Sequence, residues 1–166
     1  MSAYASDLIV RFRSKGVLVD TNLLLLLLIG SYDCELVGGS GFKRVAKYSI
    51  EDFTALVRLL AQFKLTVTTP HILTEVSNLA AQLPEHHKSL CFGRFVETFK
   101  DFAELNTQSF VAAGRPEFPY LGLTDCVIAQ VASDYLVITD DLRFSNCLNQ
   151  TGVETLNFNH VRTLAW

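Results

Sequence analysis

The stretch VLVDTNLLLLLLIG, residues 17–30, sets three polar residues between a short apolar run and six consecutive leucines. Burying an unpaired carboxylate costs several kcal/mol or more, so Asp20 needs a partner, a metal or a function. The leucines fall short of the ~20 apolar residues that a membrane span requires. Asp20, Thr21 and Asn22 also keep Val17–Val19 from extending them. What remains is a buried parallel strand over 17–19 and a helix from about Leu23, with the polar triplet at the junction.

The same alternation recurs along the chain. Residues 4–14 place Tyr4, Leu8, Ile9 and Phe12 on one helical side, and Gly16 ends that helix. Residues 30–48, GSYDCELVGGSGFKRVAKY, read as a glycine-rich loop, or as a loop with a weak hairpin. Ser49 and Asp52 form a capping signal for a helix that runs to Phe63 and buries Phe53, Leu56, Val57, Leu60 and Phe63. LTVTT (65–69) predicts a second strand, and Pro70 suits the first turn of the next helix. Residues 85–105 are helical in pattern with Leu90, Phe95, Phe99 and Phe102 inward, 114–122 form a loop, and 123–133 a helix with Ile128, Val131 and Ala132 facing the core. YLVIT (135–139) predicts the third strand, DDLRFSNCLNQ a helix, and VETL (153–156) a fourth short strand. Strands alternating with helices predict an α/β layer fold with a mostly parallel sheet.

Composition bounds the function classes. With 166 residues, 49% of them hydrophobic and 19% charged, the chain reads as a single globular domain over 1–166 rather than a disordered segment. A net charge of −3 argues against nucleic-acid binding by bulk attraction, although not against a local basic patch. Cys34, Cys91, Cys126 and Cys147 form no CxxC pair and read as reduced core residues of a cytoplasmic protein. The opening MSAYASDLIVRFRSKG carries Asp7 and Arg11 and lacks a leader pattern, so no secretory signal is expected.

Ligands of parallel α/β sheets sit beyond the carboxyl ends of the strands, and this chain places acids there repeatedly. Asp20 follows VLV, Glu75 lies about one turn into the helix after LTVTT, Asp125 falls in the first turn of its helix, and Asp140 and Asp141 follow YLVIT. Each acid alone could be an ordinary helix-end residue. The helix dipole stabilises such a carboxylate by only about 0.3–1 kcal/mol, too little to gather four against their mutual repulsion. A hard divalent cation can. Oxygen ligands suit Mg²⁺ or Mn²⁺, and His71, His86, His87 and His160 share no spacing that competes for zinc.

In order, VLVDTNLLLLLL, TPHILTEVSNLA, LGLTDCVIAQVA and LVITDDLRF resemble the four acidic motifs of the PIN domain, over about Val17 to Phe158. These are metal-dependent nucleases found as bacterial toxins and in RNA processing. The resemblance implies a Rossmann-like three-layer α/β/α sandwich, with Asp20, Glu75, Asp125 and Asp141 as catalytic metal-binding acids around one or two Mg²⁺ or Mn²⁺ ions. Thr139 aligns with the family's threonine two residues before the last acid. That leaves Asp140 on a variable position, a supporting or substitute ligand, while Thr21, Asn22 and Thr139 would orient the acids. The span from Asp20 to Glu75 is longer than in small toxin members, chiefly through the 30–48 insertion.

The implied reaction is hydrolysis of an RNA phosphodiester by metal-activated water. RFRSK (11–15) and FKRVAKY (42–48) offer Arg11, Arg13, Lys15, Lys43, Arg44 and Lys47 as phosphate contacts, with Phe42 and Tyr48 either stacking on bases or covering the core. A toxin neutralised by a small antitoxin, probing a homodimeric enzyme with a helix and a basic side chain, is one setting; phage defence or RNA processing is another. A non-catalytic PIN-like scaffold would have lost one of the acids, and all four positions are filled. A haloacid-dehalogenase-type phosphatase would carry a second Asp two residues after Asp20, where Asn22 stands, and no glycine-rich phosphate loop is present.

Overall fold

The structure is a computed structural model that describes residues 3–39 and 41–162. Within them, α1 (Ala3–Phe12) leads through Gly16 into β1 (Val17–Val19), which passes directly into α2 (Thr21–Tyr32). Short 3-10 turns at Cys34–Leu36 and Lys43–Val45 carry the glycine-rich segment to α3 (Ile50–Leu60), and β2 (Thr66–Thr68) opens into α4 (Pro70–Ala80). There follow α5 (Glu85–Phe99), β3 (Phe102–Glu104), α6 (Ser109–Ala113), α7 (Phe118–Leu121) and α8 (Leu123–Val131). The chain then forms β4 (Leu136–Thr139), α9 (Leu142–Gln150), β5 (Thr155–Asn157) and α10 (Phe158–Arg162).

The sheet order is β3-β2-β1-β4-β5, and every pairing is parallel. Val17 stands opposite Thr66 on one side and Leu136 on the other, so β1 lies at the centre. Parallel strands need crossovers, and right-handed crossovers send the helices of the two halves to opposite faces. The result is the three-layer α/β/α sandwich. The chain changes direction across the sheet between β1 and β4, the switch point at which such folds bind ligands.

The leucine run is explained by where α2 lies. Leu23 to Leu26, Leu28 and Ile29 are all buried, and α2 packs on α3, α4 and α5. A helix that is apolar all round is an interior helix. It continues through Gly30, where a Cβ would overlap the Phe53 ring of α3, so this glycine permits the close approach of the two helices. Ser49 and Asp52 form the reciprocal capping box at the start of α3.

Several expectations are corrected. The helix after β1 starts at Thr21, two residues earlier than expected. The 85–105 helix stops at Phe99 and the chain turns into a fifth strand, β3, so Phe102 belongs to an edge strand. Leu90, Val57 and Tyr4 face outward rather than into the core. Residues 118–121 of the expected loop are a turn of helix. Phe42 and Tyr48 are buried, which leaves them covering the core rather than stacking on bases. All four cysteines are free; Cys91 and Cys126 are buried, whereas Cys147 is half-buried and Cys34 exposed. Among the described residues no helix is long and apolar enough to cross a membrane.

Candidate functional site

Asp20 ends β1 and Asp140 and Asp141 end β4, so the two central strands deliver three carboxylates to the switch point. Asp20 occupies the residue before α2 but makes no side-chain capping bond to that helix. Its Oδ2 instead accepts the Thr139 hydroxyl at 2.6 Å. The ordinary capping role therefore does not account for it. Thr139 in turn accepts the Asp141 N–H at 3.0 Å, so one hydroxyl ties the ends of both strands together.

The other two acids arrive on helices. Glu75 lies on α4, which starts with Pro70 directly after β2 and is capped by Thr69. Thr21 Oγ1 donates to Glu75 Oε2 at 3.2 Å. Asp125 stands in the first turn of α8, three residues after Gly122. Gly122 has φ 81° and ψ 179°, a conformation essentially reserved for glycine, and it sets the entry of α8 into the site. The signal for it was present in the sequence as the glycine of LGLTD, but not its role.

Asp20, Glu75, Asp125 and Asp141 line one cavity of about 250 Å³, together with Thr21, Asn22 and the segment Leu121–Thr124. Their electrostatics are those of like charges held close. Burial pushes the Asp125 carboxyl up to about 7, and the nearby charges of Asp20, Glu75 and Asp141 add to the rise. Burial raises Asp20 to about 6, opposed by the Thr139 hydrogen bond and reinforced by Asp140 and Asp141. Among the described residues, no group of three or more His, Cys, Asp or Glu side chains is already arranged to hold a metal ion. The acids face a shared cavity rather than a single point.

Asp140 has a different place from Asp141. Its Oδ2 accepts Lys47 Nζ at 2.5 Å and the Tyr48 hydroxyl at 2.7 Å, and its Oδ1 accepts Asn22 Nδ2 at 3.5 Å. Asn159 Nδ2 donates to its carbonyl at 2.6 Å. The Asp140 carboxylate is thus occupied by partners and is absent from the lining of the acid cavity, whereas Asp141 lines it. Asp141 also accepts the Phe144 N–H at 2.9 Å and caps α9. Sequence reasoning missed Tyr48 as part of this arrangement; its hydroxyl pKa is raised by burial and by the Asp140 charge.

The basic residues are not gathered in one place. Arg13 offers its carbonyl to Lys64 just before β2, and Arg11 pairs with Glu154 just before β5. These are the amino ends of the strands, opposite the acids, and the structure does not bring Arg11 and Arg13 to the cavity. Lys43 and Arg44 sit in the 3-10 turn of the insertion, with Arg44 Nε bonded to Gln82 Oε1 at 2.8 Å. Of the six basic residues expected to contact substrate, Lys15 lies over the Phe12 ring and Lys47 is the one bonded to a residue beside the acids. His71 Nε2 meets Ser109 Oγ at 2.9 Å and His87 Nδ1 meets the Tyr32 hydroxyl at 3.0 Å, with the His86 ring 4.2 Å from that of His87.

Compared with family models, curated proteins and solved structures, the chain matches none.

Proposed function

We propose that this chain is a PIN-like nuclease that hydrolyses RNA phosphodiesters with a divalent cation held by Asp20, Glu75, Asp125 and Asp141. The observation that carries the reading is the meeting of four carboxylates from four separate segments in one cavity at the switch point of the sheet. Structural carboxylates are normally paired or solvated; here burial and mutual repulsion hold Asp20 and Asp125 well above the ordinary range. The donor set is all oxygen, which fits Mg²⁺ or Mn²⁺ rather than zinc. When bound, such an ion supplies Lewis-acid activation of water and of the phosphodiester.

The chain's own groups do the positioning. Thr139 orients Asp20, Thr21 orients Glu75, and the α9 N–H of Phe144 holds Asp141. Lys47, Tyr48 and Asn22 hold Asp140 beside them. Lys47 is about half exposed and adds positive charge next to an acidic cavity. RNA as the substrate comes from the four motifs and their resemblance; the geometry supports the phosphodiester chemistry that RNA shares with DNA.

The test is cleavage of a fluorophore-quencher RNA by purified protein in Mg²⁺ or Mn²⁺, with chelator and Asp125→Asn as controls. The reading expects ion-dependent cleavage that falls at least about a hundredfold in the variant. Cleavage that persists in chelator, or is equal in the variant, overturns it.

A further inference from the structure

Beside the acid cavity lies a second cleft of about 360 Å³, lined by one face of α4 (Pro70, His71, Thr74, Glu75 and Asn78) and by Leu123 and Thr124 at the start of α8. The two cavities share Glu75, Leu123 and Thr124, so they adjoin. Its volume falls within the range of small-molecule sites, roughly 300–1,000 Å³.

We propose that this cleft is a nucleobase subsite, which seats the base of a nucleotide whose phosphate lies at the acid cavity. The proposal rests on the nuclease reading and names where the substrate's base goes. The lining determines the class of ligand. It contains no Lys or Arg, and its one carboxylate, Glu75, would repel a phosphate placed there. What it offers is an apolar wall of Pro70 and Leu123 with neutral hydrogen-bonding groups spaced along a helix. That suits a flat, uncharged, polar-edged ring.

Two details are compatible with a base at this position. Thr74 and Asn78 are exposed on this face of α4 and their side chains bond to no other described residue, so a ligand edge that met them would displace only water. The adjoining α6–α7 segment also carries aromatic surface. Ser109 of α6 fixes the His71 ring in the cleft wall, and the next residue, Phe110, is 88% exposed. Leu121 of α7 lines the acid cavity, and its neighbour Tyr120 is 73% exposed. Exposed rings on such a segment can stack on the bases of a strand.

The experiment titrates the full chain, in Mg²⁺, with the 5′-monophosphates of adenosine, guanosine, cytidine and uridine, using ribose 5-phosphate as the base-free control. At least one nucleotide should bind about tenfold or more tightly than ribose 5-phosphate. Asn78→Leu, which removes an amide, and Asn78→Trp, which fills the cleft from an exposed position, should each remove most of that margin. Ribose 5-phosphate affinity should change less than about twofold in both variants. Equal binding of nucleotides and ribose 5-phosphate, or a margin that survives both substitutions, overturns the subsite. The outcomes separate the two readings: metal-dependent RNA cleavage without a base margin sinks the subsite alone, and a base margin without cleavage sinks the nuclease reading alone.

Discussion

Thr139 donates its hydroxyl hydrogen to Asp20 Oδ2 at 2.6 Å, joining the ends of the two central strands across 119 positions of sequence. The same hydroxyl oxygen accepts the Asp141 N–H, so a single buried side chain sets the relation between two of the four acids. Side chains that orient metal ligands matter nearly as much as the ligands themselves. Thr139→Val keeps the shape and removes the hydroxyl. It should weaken Mn²⁺ binding about 10–100-fold while leaving the far-ultraviolet circular dichroism spectrum unchanged. Unaltered binding would show that Thr139 only fills space.

Asp140 and Asp141 are adjacent yet should behave oppositely. Asp141→Asn can still accept the Phe144 N–H and cap α9, so the fold should hold while ion binding drops. Asp140→Ala leaves the buried Tyr48 hydroxyl without its acceptor, and should cost about 1–3 kcal/mol in urea unfolding. Ion binding should fall less in Asp140→Ala than in Asp141→Asn. The reverse order would make Asp140 the ligand.

Much of this arrangement was legible before the structure, and the part that was not has a physical reason. The runs VLV, LTVTT and YLVIT announce strands because buried parallel strands carry β-branched residues without alternation, and the acids after them fall at the switch point. Ser49 and Asp52 announce α3 because capping is local chemistry. β3 was hidden: Phe95, Phe99 and Phe102 continue a helical spacing, and three residues of a half-exposed edge strand cannot outweigh it. The hold of Lys47 and Tyr48 on Asp140 was also hidden, because those partners are more than ninety positions away and no local pattern encodes the contact.

The raised carboxyls make a prediction for stability. In the folded chain Asp20 titrates at about 6 and Asp125 at about 7, against an ordinary value of 3.8. The folded state therefore binds more protons than the unfolded state between roughly pH 4 and 7. This contribution to stability is fully present below about pH 4 and is lost progressively as pH rises to about 7. In chelator, thermal midpoints of the wild type should fall between about pH 5 and about pH 8. Asp125→Asn should reduce that fall and raise the midpoint at about pH 8, by roughly 2–4 °C for each kcal/mol relieved. A variant with the same pH profile as the wild type would contradict the assigned repulsion.

The most direct test of the central claim is a titration of Mn²⁺ into the wild-type chain at about pH 8, followed through the electron paramagnetic resonance of the free ion. The account predicts saturable binding that is released on acidification to about pH 5, as Asp20 and Asp125 take up protons. It also predicts that Asp20→Asn and Asp125→Asn each weaken binding at least about tenfold. Absence of saturable binding in the wild type, or equal binding in both variants, would contradict a divalent cation held by these four carboxylates.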